Sequence, residues 1–223
     1  MIHGLTFKEY VDQEKEKWSE MSKAEKISYF KEYYLKTCIV IFVALLLLAW
    51  FIVDLAHNMR NLVVCGGVLN LQISDEGKAF LSEDYMAFLN LSEKSNKIDF
   101  AGDMFLNKEE PETYTVFQAE MAAGTFNYLI TDKEGLDYIA RIECTADMDE
   151  AMDSELKNQV GSKLVYRKYG ESNTDVACAI DISNTAFAKE YITSKDTVYF
   201  VLSGKMDEYQ SGLDVLKYIL DKK

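Results

Sequence analysis

The residues able to make or break bonds are few in this chain and poorly placed for it. Only two histidines occur, His3 and His57, and both precede the stretch that reads as a folded body. A Ser-His-Asp or Cys-His nucleophile needs an imidazole within hydrogen-bond reach, so the body lacks that machinery and any histidine-based metal site. No G-x-S-x-G, G-x-x-x-x-G-K-[ST] or G-x-G-x-x-G pattern occurs, and Cys65-Gly66-Gly67 is too short a glycine signal to stand for one. The run Asp147, Asp149, Asp153 has the start of a calcium loop but lacks the next ligand and the turn glycine. Carboxylates at a helix start are favoured by the helix dipole, and that is the reading taken. The body has no tryptophan to stack a sugar. No catalytic residue, cofactor or metal ligand is assigned, and enzymatic activity is disfavoured.

Recognition is the chemistry that remains. In open α/β sheets, ligands bind beyond the carboxyl ends of strands, where helix starts offer free amides. Two such places are legible, Thr131-Asp132-Lys133 and Asp181-Ile182-Ser183-Asn184-Thr185. Asp132, Asp181, Ser183 and Asn184 are therefore the candidate ligand-binding residues. The competing reading, which we favour, is plain capping, with Asp132 and Ser183 or Asn184 as N-caps.

These positions need a sheet to carry them. Leu62–Ile73 is apolar enough for a buried strand, with Cys65-Gly66-Gly67 as a break or bulge near its start. Phe126–Thr131, Lys163–Tyr169, Val176–Ile182 and Thr197–Ser203 also read as strands, with a short one at Ile98–Phe100. Helical patterns cover Glu76–Leu91, a segment from Pro111 to Gly124, Lys133–Arg141, Asp147–Val160, Thr185–Tyr191 and Tyr209–Leu220. Strands alternating with helices imply an α/β class with a mainly parallel sheet and helices on both faces.

Ahead of that body lies the most diagnostic stretch of the chain. Cys38 to Val53 holds sixteen residues without charge, Pro or Gly. With its flanks it reaches about 20 residues, roughly 30 Å as a helix, enough to cross a bilayer. A buried soluble helix normally keeps a polar stripe, which this run lacks. No small-x-small cleavage site follows it, so an uncleaved signal-anchor is expected. The expected organisation is a cytosolic amphipathic helical leader at 1–36, a transmembrane helix at 37–56, a juxtamembrane segment with the start of the first strand at 57–67, and an extracytoplasmic α/β domain at 68–223.

Orientation follows from the lysines and arginines near the run. Five of them lie in the twenty residues before Thr37 and one, Arg60, in the twenty after Ala56. The leader reads as two helices, the second opened by the capping box Ser22-Lys23-Ala24-Glu25. It carries seven lysines and seven acidic residues, so the net charge of −13 belongs to the rest of the chain. An acidic body with only three arginines has no footprint for nucleic acid. Cys65, Cys144 and Cys178 show no C-x-x-C spacing and read as buried free thiols, with a Cys144–Cys178 bridge as the alternative.

The stretch Met121-Ala-Ala-Gly-Thr-Phe-Asn-Tyr-Leu-Ile-Thr-Asp132, followed by Glu134-Gly-Leu-Asp-Tyr-Ile-Ala140, resembles a helix–Gly–strand–Asp–helix segment of type 2 periplasmic-binding-like domains. Asn127 stands where that pattern usually has Asp. Ala179-Ile-Asp-Ile-Ser183 with Thr197–Ser203 and a closing helix is similar to the end of such domains. The whole chain, with Tyr29-Phe-Lys-Glu-Tyr-Tyr34 before the anchor, also resembles a group of uncharacterised bacterial single-pass membrane proteins. Together these point to a membrane-anchored extracytoplasmic interaction or sensing domain without enzymatic activity, its expected partners the lipid bilayer through 37–56 and a protein on the outer side. The alternatives are a small-molecule binding domain of periplasmic-binding-like type and, lower still, a hydrolase lacking histidine. Protease added to intact protoplasts is expected to digest the body and spare the leader; protection of the body would reverse the assigned orientation.

Overall fold

The computed structural model describes residues 6–172, 174–203 and 209–222. It divides into two compact units, Met1–Met59 and Arg60–Lys223.

In the first unit, helix α1 (Phe7–Glu20) starts at a capping box in which Thr6 accepts from the Glu9 amide and the Glu9 carboxylate reaches back. Helix α2 (Lys23–Tyr29) starts at the expected box of Ser22 and Glu25. One π-helical turn, Phe30–Tyr34, joins it to helix α3 (Leu35–Asn58). From Lys23 to Leu55 this is one helix, long and apolar enough to cross a membrane and with its apolar window wholly unburied. Helix α1 folds back along it. The Glu14 carboxylate accepts from the hydroxyls of Tyr34 at 2.7 Å and Tyr29 at 3.0 Å and pairs with Lys17 at 3.1 Å. These donors hold Glu14 below the usual carboxylate range, the Tyr34 hydroxyl foremost.

In the second unit, strand β1 (Asn61–Leu69) leads through the short β2 (Gln72–Ile73) into helices α4 (Asp75–Ala79) and α5 (Tyr85–Phe88), joined by a π-helical turn. Strand β3 (Asn96–Met104), helix α6 (Pro111–Ala122), strand β4 (Tyr128–Thr131) and helix α7 (Lys133–Arg141) follow. Then come helices α8 (Met148–Ala151) and α9 (Ser154–Val160) and strands β5 (Leu164–Lys168) and β6 (Asp175–Asp181). Helix α10 (Ala186–Tyr191), strands β7 (Ile192–Thr193) and β8 (Tyr199–Leu202), and helix α11 (Gln210–Asp221) close the chain.

Six strands form one sheet in the order β3-β1-β4-β8-β6-β5. Strand β1 pairs in parallel with β3 and β4, while β4–β8, β8–β6 and β6–β5 are antiparallel. The sheet is therefore mixed, and the expected parallel arrangement holds over one half only. The reason lies in the connections. Helices α4–α5 and α6 carry the chain back across the sheet between parallel strands, whereas β5 and β6 are joined by a short turn that only an antiparallel pair permits.

Successive strand residues divide between two buried clusters, as the two-residue period of a strand requires. Val64, Val68, Tyr128, Ile130, Phe200 and Leu202 join one with Phe80 and with Leu216 and Ile219 of α11. Cys65, Leu69, Leu129 and Val201 join the other with Phe117 and Met121 of α6 and Leu136 and Ile139 of α7.

Around the glycines of β1 the ladder is irregular on one side only. Gly66 and Gly67 pair in register with β4, whereas with β3 the register shifts between Leu62 and Val64 and again directly after Gly67, where the extra residue is Gly102 of β3. What Gly66 supplies is room: a Cβ there would stand 2.1 Å from the ring of Tyr128, which stacks on Phe200 at 5.2 Å. That ring is fully buried and has no free path to give way. Gly66→Ala is expected to destabilise the body by about 1–3 kcal/mol, the cost of overpacking. In a chemical denaturation series the loss should shrink when Tyr128→Leu is added, and equal losses in the two backgrounds would refute the close-approach account.

Candidate functional site

The candidate strand ends lie at one end of the sheet. Thr131 of β4 and Asp181 of β6 both pair with Tyr199, from opposite sides of β8. The structure thus brings the Asp132 segment and the Asp181–Asn184 segment to the same edge, two strands apart.

Asp132 is the N-cap of α7, accepting from the Gly135 amide at 2.8 Å. The helix can sit this close to β4 because residue 135 is glycine; a Cβ there would meet Thr131 Oγ1 at 2.0 Å. Asn70, in the left-handed region at φ 59°, reaches the same carboxylate at 3.3 Å and accepts from the Leu106 amide at 2.9 Å. It ties the exits of β1, β3 and β4 together. Asn70 was not among the candidates: the apolar run Leu62–Ile73 hid it inside an expected strand, whereas β1 ends at Leu69 and Asn70 takes the positive φ that Asn tolerates.

Beside Asp132 opens a cleft of about 470 Å³. Its walls carry both signs of charge: Lys108, Lys133 and Arg141 against Glu134, Asp137 and Asp196. Much of this charge is already engaged. Lys108 pairs with Glu134 at 2.7 Å, Asp137 accepts from Arg167 Nε at 2.7 Å, and the Arg141 guanidinium lies over the Tyr138 ring at 5.1 Å. The arrangement can hold a small polar molecule through ion pairs and hydrogen bonds.

The other candidates do not line this cleft. Asp181 accepts from both the Ser183 amide at 2.9 Å and the Ser183 hydroxyl at 2.6 Å. The same hydroxyl accepts from the Val198 amide at 2.9 Å, clamping the entry to β8. Asn184 is exposed in the turn. The N-cap of α10 is Thr185, accepting from the Ala188 amide at 3.1 Å, so the capping expected of Ser183 or Asn184 falls one or two residues later. Ser183 is committed to Asp181 and Val198, and the backbone turns helical only after Thr185.

Asn127 is a structural pin. Its side chain accepts from the Cys65 amide at 2.7 Å, while its own amide donates to the Cys65 carbonyl at 2.8 Å, extending the β1–β4 ladder by one residue. Cys65, Cys144 and Cys178 are buried, and none of them forms a disulfide. Burial, reinforced by the charge of Asp99, pushes the Cys65 thiol up to about 11, far from a reactive thiolate. The acidic run is split between caps: Asp147 accepts from the Asp149 amide at 2.9 Å and Asp153 from the Leu156 amide at 2.8 Å. Among the described residues no group of three or more His, Cys, Asp or Glu is placed to hold a metal ion.

A second concavity, about 370 Å³, lies between the end of β3 and α6 and is walled mainly by Met104, Phe105, Leu106, Val116 and Phe117. Phe105 and Val116 are 49% and 57% exposed, and Glu112 and Glu120 stand at its rim. No protein-family model matches this chain, and neither a curated protein nor a solved structure does.

The capping role of Asp132 predicts that Asp132→Ala lowers stability by about 0.5–2 kcal/mol with the fold intact. Thermal melting by circular dichroism measures it, and an unchanged midpoint would refute the cap.

Proposed function

We propose that this chain is a membrane-anchored interaction domain without enzymatic activity, with α3 as the bilayer span, the leader cytosolic and the α/β body extracytoplasmic. We read the two buried clusters as the two faces of one sheet, each covered by helices. The lysine bias around the apolar run supports the orientation. The observation that carries the interaction reading is the groove beside β3. A contiguous apolar groove with polar residues at its rim is the kind of surface that protein or ligand sites use. Strand β3 is also an edge of the sheet, with one side of its backbone paired to no other strand among the described residues. Glutamates at the rim suit a protein segment that brings apolar side chains flanked by lysine or arginine.

The polar cleft beside Asp132 supports a second reading, a small-molecule binding domain of the periplasmic-binding-like type. Its position beyond the carboxyl ends of β1 and β4 is where open sheets bind ligands.

A photo-crosslinking residue placed at Phe105 or Val116 in intact cells separates the two. Discrete protein adducts at both positions, and none from a control at Lys163, are the expected result. Absence of site-specific adducts, together with a small molecule retained by the purified body and lost in Asp132→Ala, would replace the first reading by the second.

A further inference from the structure

The leader hairpin leaves a second apolar surface open. Trp18, Ile27, Phe30 and Leu35 line a groove of about 340 Å³, with Lys26 and Lys31 at its rim. Ile27, Phe30 and Leu35 are 59%, 38% and 40% exposed, and neither α1 nor α2 buries a single residue. Two helices side by side cannot enclose a core; helical hairpins become stable by packing a further pair against their shared apolar stripe.

From the groove, the charges and the continuity with α3, we infer that a second copy of this chain covers this surface, so that two leader hairpins join as a four-helix bundle on the membrane. The inference rests on the reading of α3 as a bilayer span.

Three features single out a second copy. The first is charge. The leader's seven lysines and seven acidic residues balance, so identical hairpins approach without net repulsion. The remainder of the chain, with seventeen basic and thirty acidic residues, has no such neutrality. The second is height. Ile27 stands eight residues before Leu35, where the apolar helix begins, which is roughly 12 Å along the axis. The polar layer of one leaflet is only about 5–8 Å deep, so acyl chains do not reach the upper part of the groove. The third is continuity. The groove ends on Leu35, the first residue of α3, so spans meeting side by side bring the grooves together, and confinement to a membrane raises the effective concentration of the second copy.

The test uses the full chain with Cys38→Ser in lipid nanodiscs and in vesicles, the three body thiols being buried. Ile27→Cys is expected to give a disulfide-linked dimer under mild oxidation, while Glu16→Cys, on α1 and outside the groove, gives none. Adding Phe30→Glu should weaken self-association more than about tenfold, as loss of one well-packed anchor does at protein interfaces. Phe30→Leu, which keeps the helix and the apolar contact, should retain the dimer. Monomers at all chain densities, or a dimer indifferent to Phe30→Glu, would overturn the inference. Strong quenching of Trp18 by brominated lipid in a Trp50→Phe background would also overturn it, assigning the groove to the bilayer instead. Failure of the chain to enter vesicles at all would mark failure of the anchor reading, a distinct result.

Discussion

The phenol end of the Tyr128 ring fills the space where the neighbouring strand has no side chain, at Gly66, and the centre of the sheet is packed around that contact. The ring needs Gly66 beneath it and Phe200 beside it, which sets the lateral order β1-β4-β8 at the centre of the molecule. One residue earlier, Asn127 uses its side chain as well as its backbone to hold Cys65 in register. A one-residue slip would turn Tyr128 to the other cluster and bring Leu129 onto Gly66, so register and core composition are decided together. From this centre the strands run out to two edges, and the cleft beside Asp132 and the groove beside α6 open near the ends of β1, β3 and β4.

Polar groups at those strand ends are mostly spent on structure. Asp132 caps a helix, Asp181 and Ser183 fold a turn, Ser183 also fastens the entry to β8, and Asn70 ties three strand exits. Such local bonds satisfy backbone amides that burial would otherwise leave unpaired, which is why Asp, Ser and Asn gather there irrespective of any ligand. What distinguishes the Asp132 end is the cleft beside it; what distinguishes the α6 side is exposed apolar surface. The leader shows the same contrast between spent polar groups and unspent apolar ones. Glu14 gathers two tyrosine hydroxyls and a lysine, whereas Ile27 and Phe30 face outward.

Local signals in the chain carried through where the physics is local. The capping box at Ser22, the proline start of α6, the turn at Gly124 with φ 69° and the limits of α7 follow from hydrogen bonds within a few residues. The long acidic helix expected from Asp147 to Val160 did not survive, because Asp153 starts a new helix and ends the first. The short strand expected at Ile98–Phe100 grew to nine residues, since pairing with β1 recruits polar flanks that no alternation announces.

By itself, the sequence determined the apolar helix before the body, the α/β alternation, the absence of histidine from the body and the caps at Ser22 and Asp132. Each depends on composition or on contacts a turn or less apart. Tertiary structure alone decided that the sheet is mixed, that Gly66 gives room to the Tyr128 ring, that Asp132 and Asp181 share one edge, and that α1 folds back along the helix that follows it. These are matters of which distant segments meet, and in a pairing between residues some sixty positions apart, as Cys65 with Asn127, packing chooses the partner while the local pattern leaves several open.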